Sequence, residues 1–161
     1  KRIVDEFSQF ARLPRPELKA LQLDELVGQL MTLYAPHDGV SFDTQRAPAT
    51  AHADRDQLTQ VLVNLVKNAE EAMAGRSGKI SVRVVAGEEL RVEVEDEGPG
   101  IPPELRDRLF EPYVTTKEHG TGLGLAIARR IVEEHQGRLE LHVGSSGGAL
   151  FRVVLPRASL R

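Results

Sequence analysis

The stretch Asp96-Glu97-Gly98-Pro99-Gly100-Ile101 decides how the rest of the chain reads. Counting back by twos, Leu90, Val92 and Val94 share one face of a strand and Arg91, Glu93 and Glu95 share the other, the alternation of a half-buried strand. Asp96 falls in the apolar phase. A carboxylate there is costly unless a donor reaches it, from the protein or from a ligand. Gly98 and Gly100, with Pro99 stiffening the turn between them, let backbone approach whatever Asp96 holds. Taken alone, the segment also fits a tight turn with an acidic cap.

On the N-terminal side, Lys79 to Ala86 reads as a partner strand joined through Gly87-Glu88-Glu89 as a hairpin. The strongest helix precedes it, capped by Asp54, running to about Met73 and closed by Gly75. Its apolar set is Leu58, Val61, Leu62, Leu65, Val66, Ala69, Ala72 and Met73. Leu18 to Leu23 and Val40 to Gln45 are two further strands, and between them Asp24 caps a helix carrying Leu26, Val27, Leu30, Met31 and Leu33 to Tyr34. At the start, Ile3, Val4, Phe7, Phe10 and Ala11 make a helical stripe, which Leu13-Pro14-Arg15-Pro16 stops. The domain boundary is placed there, with residues 1–13 as the end of a longer helix and 14–161 as the domain. On the C-terminal side, Pro102 to Gly120 is a long polar connector with one helical piece from Glu104 to Phe110, which reads as a lid ordered by its ligand. Gly122 to about Gln136 is a helix closed by Gly137, and Arg138 to Val143 pairs with Ala149 to Leu155 across Gly144-Ser145-Ser146-Gly147-Gly148. Without a regular βαβ rhythm, these elements predict an α+β two-layer sandwich: a mixed sheet of about five strands with three main helices on one face.

The 161 residues suit one domain. A net charge of -3 without a basic stripe argues against nucleic acid, and the absence of Cys removes disulfide and thiolate chemistry. No apolar run reaches the length of a membrane span, and the expected setting is cytoplasmic.

Two further groups could carry chemistry. On the long helix Gln60, Asn64, Lys67, Asn68 and Glu71 form a polar stripe beside the apolar face. Asn is a weak helix former, and its neutral amide oxygen suits a hard cation such as Mg²⁺, although a solvated polar seam has the same pattern. Gly120-Thr121-Gly122-Leu123-Gly124-Leu125 stands before a helix, where bare amides and the helix dipole favour an anion. Thr115, Thr116 and Lys117 precede it. Together these residues offer an acceptor for an amine, a cation site and a phosphate cradle, which are the demands of magnesium-bound adenine nucleotide.

With those motifs in order, the chain resembles the catalytic ATP-binding domain of bacterial sensor histidine kinases, in the superfamily that includes gyrase and MutL ATPases and shares the Bergerat fold. Asp56 to Met73 resembles the family's asparagine box, Asp96 to Ile101 its first glycine box, and Phe110-Glu111-Pro112-Tyr113 its phenylalanine box. Gly120 to Leu125 and Gly147-Gly148-Ala149-Leu150-Phe151 resemble its later glycine boxes. The wording of Phe110 to Lys117 and of Phe7 to Pro14 is most similar to nitrogen-regulation sensor kinases.

The resemblance implies roles. Asp96 would bond the adenine amino group of ATP or ADP, with Gly98, Gly100 and Ile101 shaping the pocket. Asn64 and Asn68 would hold Mg²⁺, and Lys67 would lie near the phosphates. Gly120, Thr121, Gly122, Leu123, Gly124 and Leu125 would wrap the triphosphate, beside Thr116 and the lid cation Lys117. Implied partners are the chain's own upstream phosphoacceptor helices in a homodimer and a response regulator receiver domain.

The superfamily's ATPases and serine kinases carry a glutamate base where this chain has Asn64. An amide cannot accept that proton, so hydrolysis is disfavoured and transfer to a histidine favoured. A non-catalytic nucleotide-binding module is the alternative. None of His37, His52, His119, His135 and His142 has the setting of the family's acceptor, which is expected upstream.

Overall fold

The computed structural model describes residues 13–114 and 123–158. In chain order its elements are β1 (Lys19–Gln22), α1 (Leu23–Met31), β2 (Val40–Arg46), β3 (Thr50–Ala53), α2 (Arg55–Ala72), β4 (Gly78–Ala86) and β5 (Leu90–Glu95). There follow α3 (Pro103–Arg106), α4 (Gly124–Glu134), β6 (Arg138–Val143) and β7 (Ala149–Leu155). Five strands form one mixed sheet in the order β2-β4-β5-β7-β6, with only the β2–β4 pair parallel. The expected α+β sandwich is therefore present.

The period-2 pattern of the central strands builds its two faces. Val82, Val94, Phe151 and Leu141 lie side by side across β4, β5, β7 and β6, and the next row is Val84, Val92, Val153 and Leu139. All but half-buried Leu141 are buried, in one core with Leu26, Val27 and Leu30 of α1, Val61, Leu65 and Val66 of α2, and Ile127, Ile131 and Val132 of α4. The other face is not simply wet. Arg83, Glu93, Arg152 and Glu140 sit in one register row with alternating sign. Glu93 accepts from Arg83 at 3.1 Å and from Arg152 at 2.8 Å, and is only 7% exposed. A single buried carboxylate is thus held between two guanidiniums, which offsets its desolvation.

Some boundaries differ from expectation for local reasons. Helix α1 starts at Leu23, because Asp24 is diverted from capping and accepts the Ala49 N–H at 3.2 Å. β3, in a stretch to which the sequence pattern assigns no element, pairs antiparallel with β1 and places His52 in a strand. The helical piece expected from Glu104 to Phe110 is shorter and begins one residue earlier, at Pro103–Arg106. At the end of α4 the left-handed residue is Gln136 (φ 63°), not Gly137. Gly137 is required for a different reason: a Cβ there would stand 2.2 Å from the Val154 carbonyl oxygen.

Asp54 does cap α2, and the same carboxylate ties the chain together. Oδ1 accepts the Gln57 N–H at 3.0 Å while Oδ2 accepts the Glu17 N–H at 2.9 Å. Gln57 Nε2 in turn donates to the Pro14 carbonyl at 2.8 Å. The Asp54 N–H donates to Nε2 of His135, which is 3% exposed and whose Nδ1–H donates to the Ile131 carbonyl at 2.8 Å. Burial pushes the Asp54 carboxyl up, but the N–H groups of Glu17, Gln57 and Asp56 outweigh it and hold the group below its ordinary value. A depressed carboxyl contributes stability that is present above the unfolded-state value and lost as pH falls through the folded one. Asp54→Ala is therefore expected to cost about 1–2 kcal/mol at neutral pH. Urea titrations should show that difference shrinking in acid.

Candidate functional site

Asp96 is the first residue past β5 and is 1% exposed. Its N–H donates to the Ala149 carbonyl at 3.0 Å, which continues the β5–β7 pairing by one bond and turns its side chain inward as the period requires. Oδ1 accepts two N–H groups, from Gly98 at 2.9 Å and Ala149 at 3.2 Å. No donor among the described residues reaches Oδ2. Burial raises the Asp96 carboxyl above its usual range, and the two N–H groups recover only part of that. One oxygen is thus fixed by the fold, and the other takes no part in that backbone grip.

Bare backbone frames this carboxylate. A Cβ on Gly98 would come within 2.9 Å of the Ala72 carbonyl and 3.0 Å of Asp96 Oδ1. One on Gly148 would stand 2.1 Å from the Asp96 carbonyl oxygen, inside any real contact. The Asp96–Gly98 turn therefore rests on the C-terminal end of α2.

The same side of α2 reaches the other glycine segment. Asn64 Nδ2 donates to the carbonyl of Gly124, first residue of α4, at 3.1 Å. Asn64, Asn68 and Ala72 are spaced four apart, so they line one side of the helix over about 12 Å. Half-buried Asn68 lies midway between the Gly124 contact and the Gly98 contact. Lys67 is exposed, Ile101 packs half-buried on the core, and Leu123 at the start of α4 is fully buried. Thr116, Lys117, Gly120, Thr121 and Gly122, with the last part of the expected lid from residue 115 onward, lie outside the described residues. Two clefts adjoin Gly100 and Ile101, one of about 60 Å³ against Leu141 and His142, but neither is lined by Asp96, Asn64 or Asn68. The bonds and close approaches along α2, not those clefts, define the site.

Sequence reasoning did not assign Gly148 and Ala149 to the Asp96 shelf. Their signal was the antiparallel pairing of β5 with β7, which two hairpins read separately do not reveal. Phe110 likewise meets Phe151 edge-on at 6.1 Å, joining the start of the connector to β7.

The profile of the histidine kinase-, DNA gyrase B- and HSP90-like ATPase family matches residues 53–159. The chain belongs to that family. Nitrogen regulation protein NtrY of Azorhizobium caulinodans is 44% identical over 164 residues, covering 96% of this chain and 21% of that protein. The chain thus spans about a fifth of that relative's length. Among solved structures of histidine kinases, full-length ShkA in complex with AMPPNP superposes with a TM-score of 0.86 at 29% identity, covering 98% of this chain and 36% of its own. ThkA in complex with the response regulator TrrA gives 0.81 at 32% identity, covering 98% and 47%. The histidine kinase-like ATPase fold is the one expected from the ordered motifs. Among the described residues no helix is long and apolar enough to cross a membrane.

Proposed function

We propose that this domain binds magnesium-bound ATP and presents the γ-phosphate to a histidine on helices upstream of residue 14. The carrying observation is the buried Asp96 with Oδ1 saturated by backbone and Oδ2 open. An exocyclic amine is a donor that such an acceptor would take, and the glycines of the turn keep side chains away from the backbone beside it. Asn64 donates its amide nitrogen to the Gly124 carbonyl, which leaves its oxygen as the atom that would ligate a cation, with Asn68 one turn along the helix. Those neutral oxygens fit Mg²⁺, which when bound would neutralise charge on phosphate oxygens. Lys67 on the exposed side, and Lys117 and Thr116 in the lid, would meet the phosphates, as would Gly120 to Leu125.

Asn64 cannot take a proton from water, so the domain holds ATP for an acceptor that is already nucleophilic. A neutral imidazole is such a group. AMPPNP with ShkA and a response regulator with ThkA support this reading, since those structures resemble the chain over 98% of its length. The whole protein would act as a homodimer passing its phosphoryl group to a receiver domain, with residues 1–13 ending the acceptor hairpin. The test mixes this domain with its separately supplied upstream helices and γ-labelled ATP. Acid-labile label on the helices, lost without Mg²⁺ and in Asn68→Ala, is the expected result. Tight ATP binding without label would leave a regulatory binding module instead.

A further inference from the structure

Glu95 and Asp96 are consecutive and point to opposite faces at the end of β5. Glu95 lies in none of the motifs that resemble the family's boxes, yet it grips the loop that shelves Asp96. Its Oε2 accepts the Ser145 N–H at 2.9 Å and the Ser145 hydroxyl at 3.3 Å, while Oε1 accepts from Arg83 at 2.7 Å. Ser145 sits in the β6–β7 turn, which is closed by Gly144 N–H to the Gly148 carbonyl at 2.8 Å and Gly147 N–H to the Gly144 carbonyl at 3.0 Å. A Cβ on Gly144 would stand 2.5 Å from Glu95 Oε2, so the turn is seated directly on this carboxylate.

The other side of the turn meets the site. Gly100, at φ 81°, approaches so closely that a Cβ there would stand 2.6 Å from the Gly147 carbonyl oxygen. Gly148 lies against Asp96 and Ala149 donates to its Oδ1. We propose that Glu95 is a positioning residue for the nucleotide site: it seats the Gly144–Gly148 turn from the outer sheet face so that Gly148 and the Ala149 N–H hold the Asp96 carboxylate in its binding rotamer. This rests on the nucleotide reading above. Arg83 is not the agent, because it also pairs with Glu93 and contacts no residue of the turn in the described bonds.

The test combines ADP calorimetry with amide hydrogen exchange at Ala149. Glu95→Leu is expected to bind ADP about tenfold more weakly, the equivalent of one lost hydrogen bond, and to exchange the Ala149 amide faster even without nucleotide. Glu95→Gln keeps an oxygen for the Ser145 N–H and is expected to restore both readings to within about twofold of wild type. Arg83→Gln, which keeps a neutral donor for this sheet face and leaves the Ser145 bonds to Glu95 in place, should leave both within about twofold of wild type. A Glu95→Leu domain with wild-type affinity, a Glu95→Gln as weak as Glu95→Leu, or an Arg83→Gln that reproduces the loss would overturn the proposal. Should Glu95→Leu not fold, Glu95→Asp, one methylene too short for Ser145, replaces it with the same expectations. If wild type binds no ADP, the nucleotide reading falls and takes the binding half with it; unaltered Ala149 exchange overturns the seating of Asp96 separately.

Discussion

Asp96→Asn is expected to bind ADP at least about a hundredfold more weakly than wild type while melting at no lower a temperature. The two halves of that result have one cause. Asn keeps an oxygen for the Gly98 and Ala149 N–H groups but places an NH₂ where Oδ2 stood. Two donors, the amide and the amine of the bound nucleotide, would then face each other at a buried residue, which is worse than a missing bond. Stability moves the other way. Burial raises the Asp96 carboxyl above its ordinary value, so its favourable contribution is complete below that ordinary value and is lost as pH rises through the raised one. At neutral pH the empty domain carries an incompletely solvated charge that Asn removes. Melting curves from about pH 3 to about pH 8 should show the variant gaining on wild type across that rise and then holding level. A variant that binds ADP normally would count against the assignment of Asp96; one that simply unfolds would show that the carboxylate is structural.

Gly148→Ala is expected to have the second large effect, costing about 2–4 kcal/mol and most of the nucleotide affinity. The added methyl would fall 2.1 Å from the Asp96 carbonyl oxygen and 2.8 Å from Oδ1. Neither neighbour can yield cheaply, because the Asp96 N–H is paired to the Ala149 carbonyl one residue away. The turn has to lift and the Ala149 N–H leaves the carboxylate. Gly75→Ala is the matched control: its Cβ would meet nothing within 4 Å, so only its φ of 75° is strained. Equal melting temperatures for Gly148→Ala and wild type would refute the close approach.

What could be read from the sequence follows from how local each signal is. Helix α2 carried its own period, cap and polar stripe, so its limits and the importance of Asn64 were visible in one window. β5 advertised Asp96 through phase alone. The shelf under Asp96 was hidden, because the meeting of Ala149 with Asp96 depends on which strand pairs with β5 across 53 residues. β3 was hidden for a different reason: Thr50-Ala51-His52-Ala53 has no large apolar residue, and its partner β1 is equally short. Glu93 falls on the polar side of β5 when that strand is read by itself, and Arg83 and Arg152 lie on other strands. Only the register row shows that they neutralise one another.

The first turn of α2 holds Pro14 and Glu17 through the Gln57 and Asp54 side chains. Seven residues of unbroken helix, about 10 Å, separate Gln57 from Asn64. The strap entering the domain and the amides facing the proposed phosphates therefore swing as one lever. A torque delivered at Pro14 would turn the proposed ligand-bearing side of α2 directly, with no slack loop in between to absorb it.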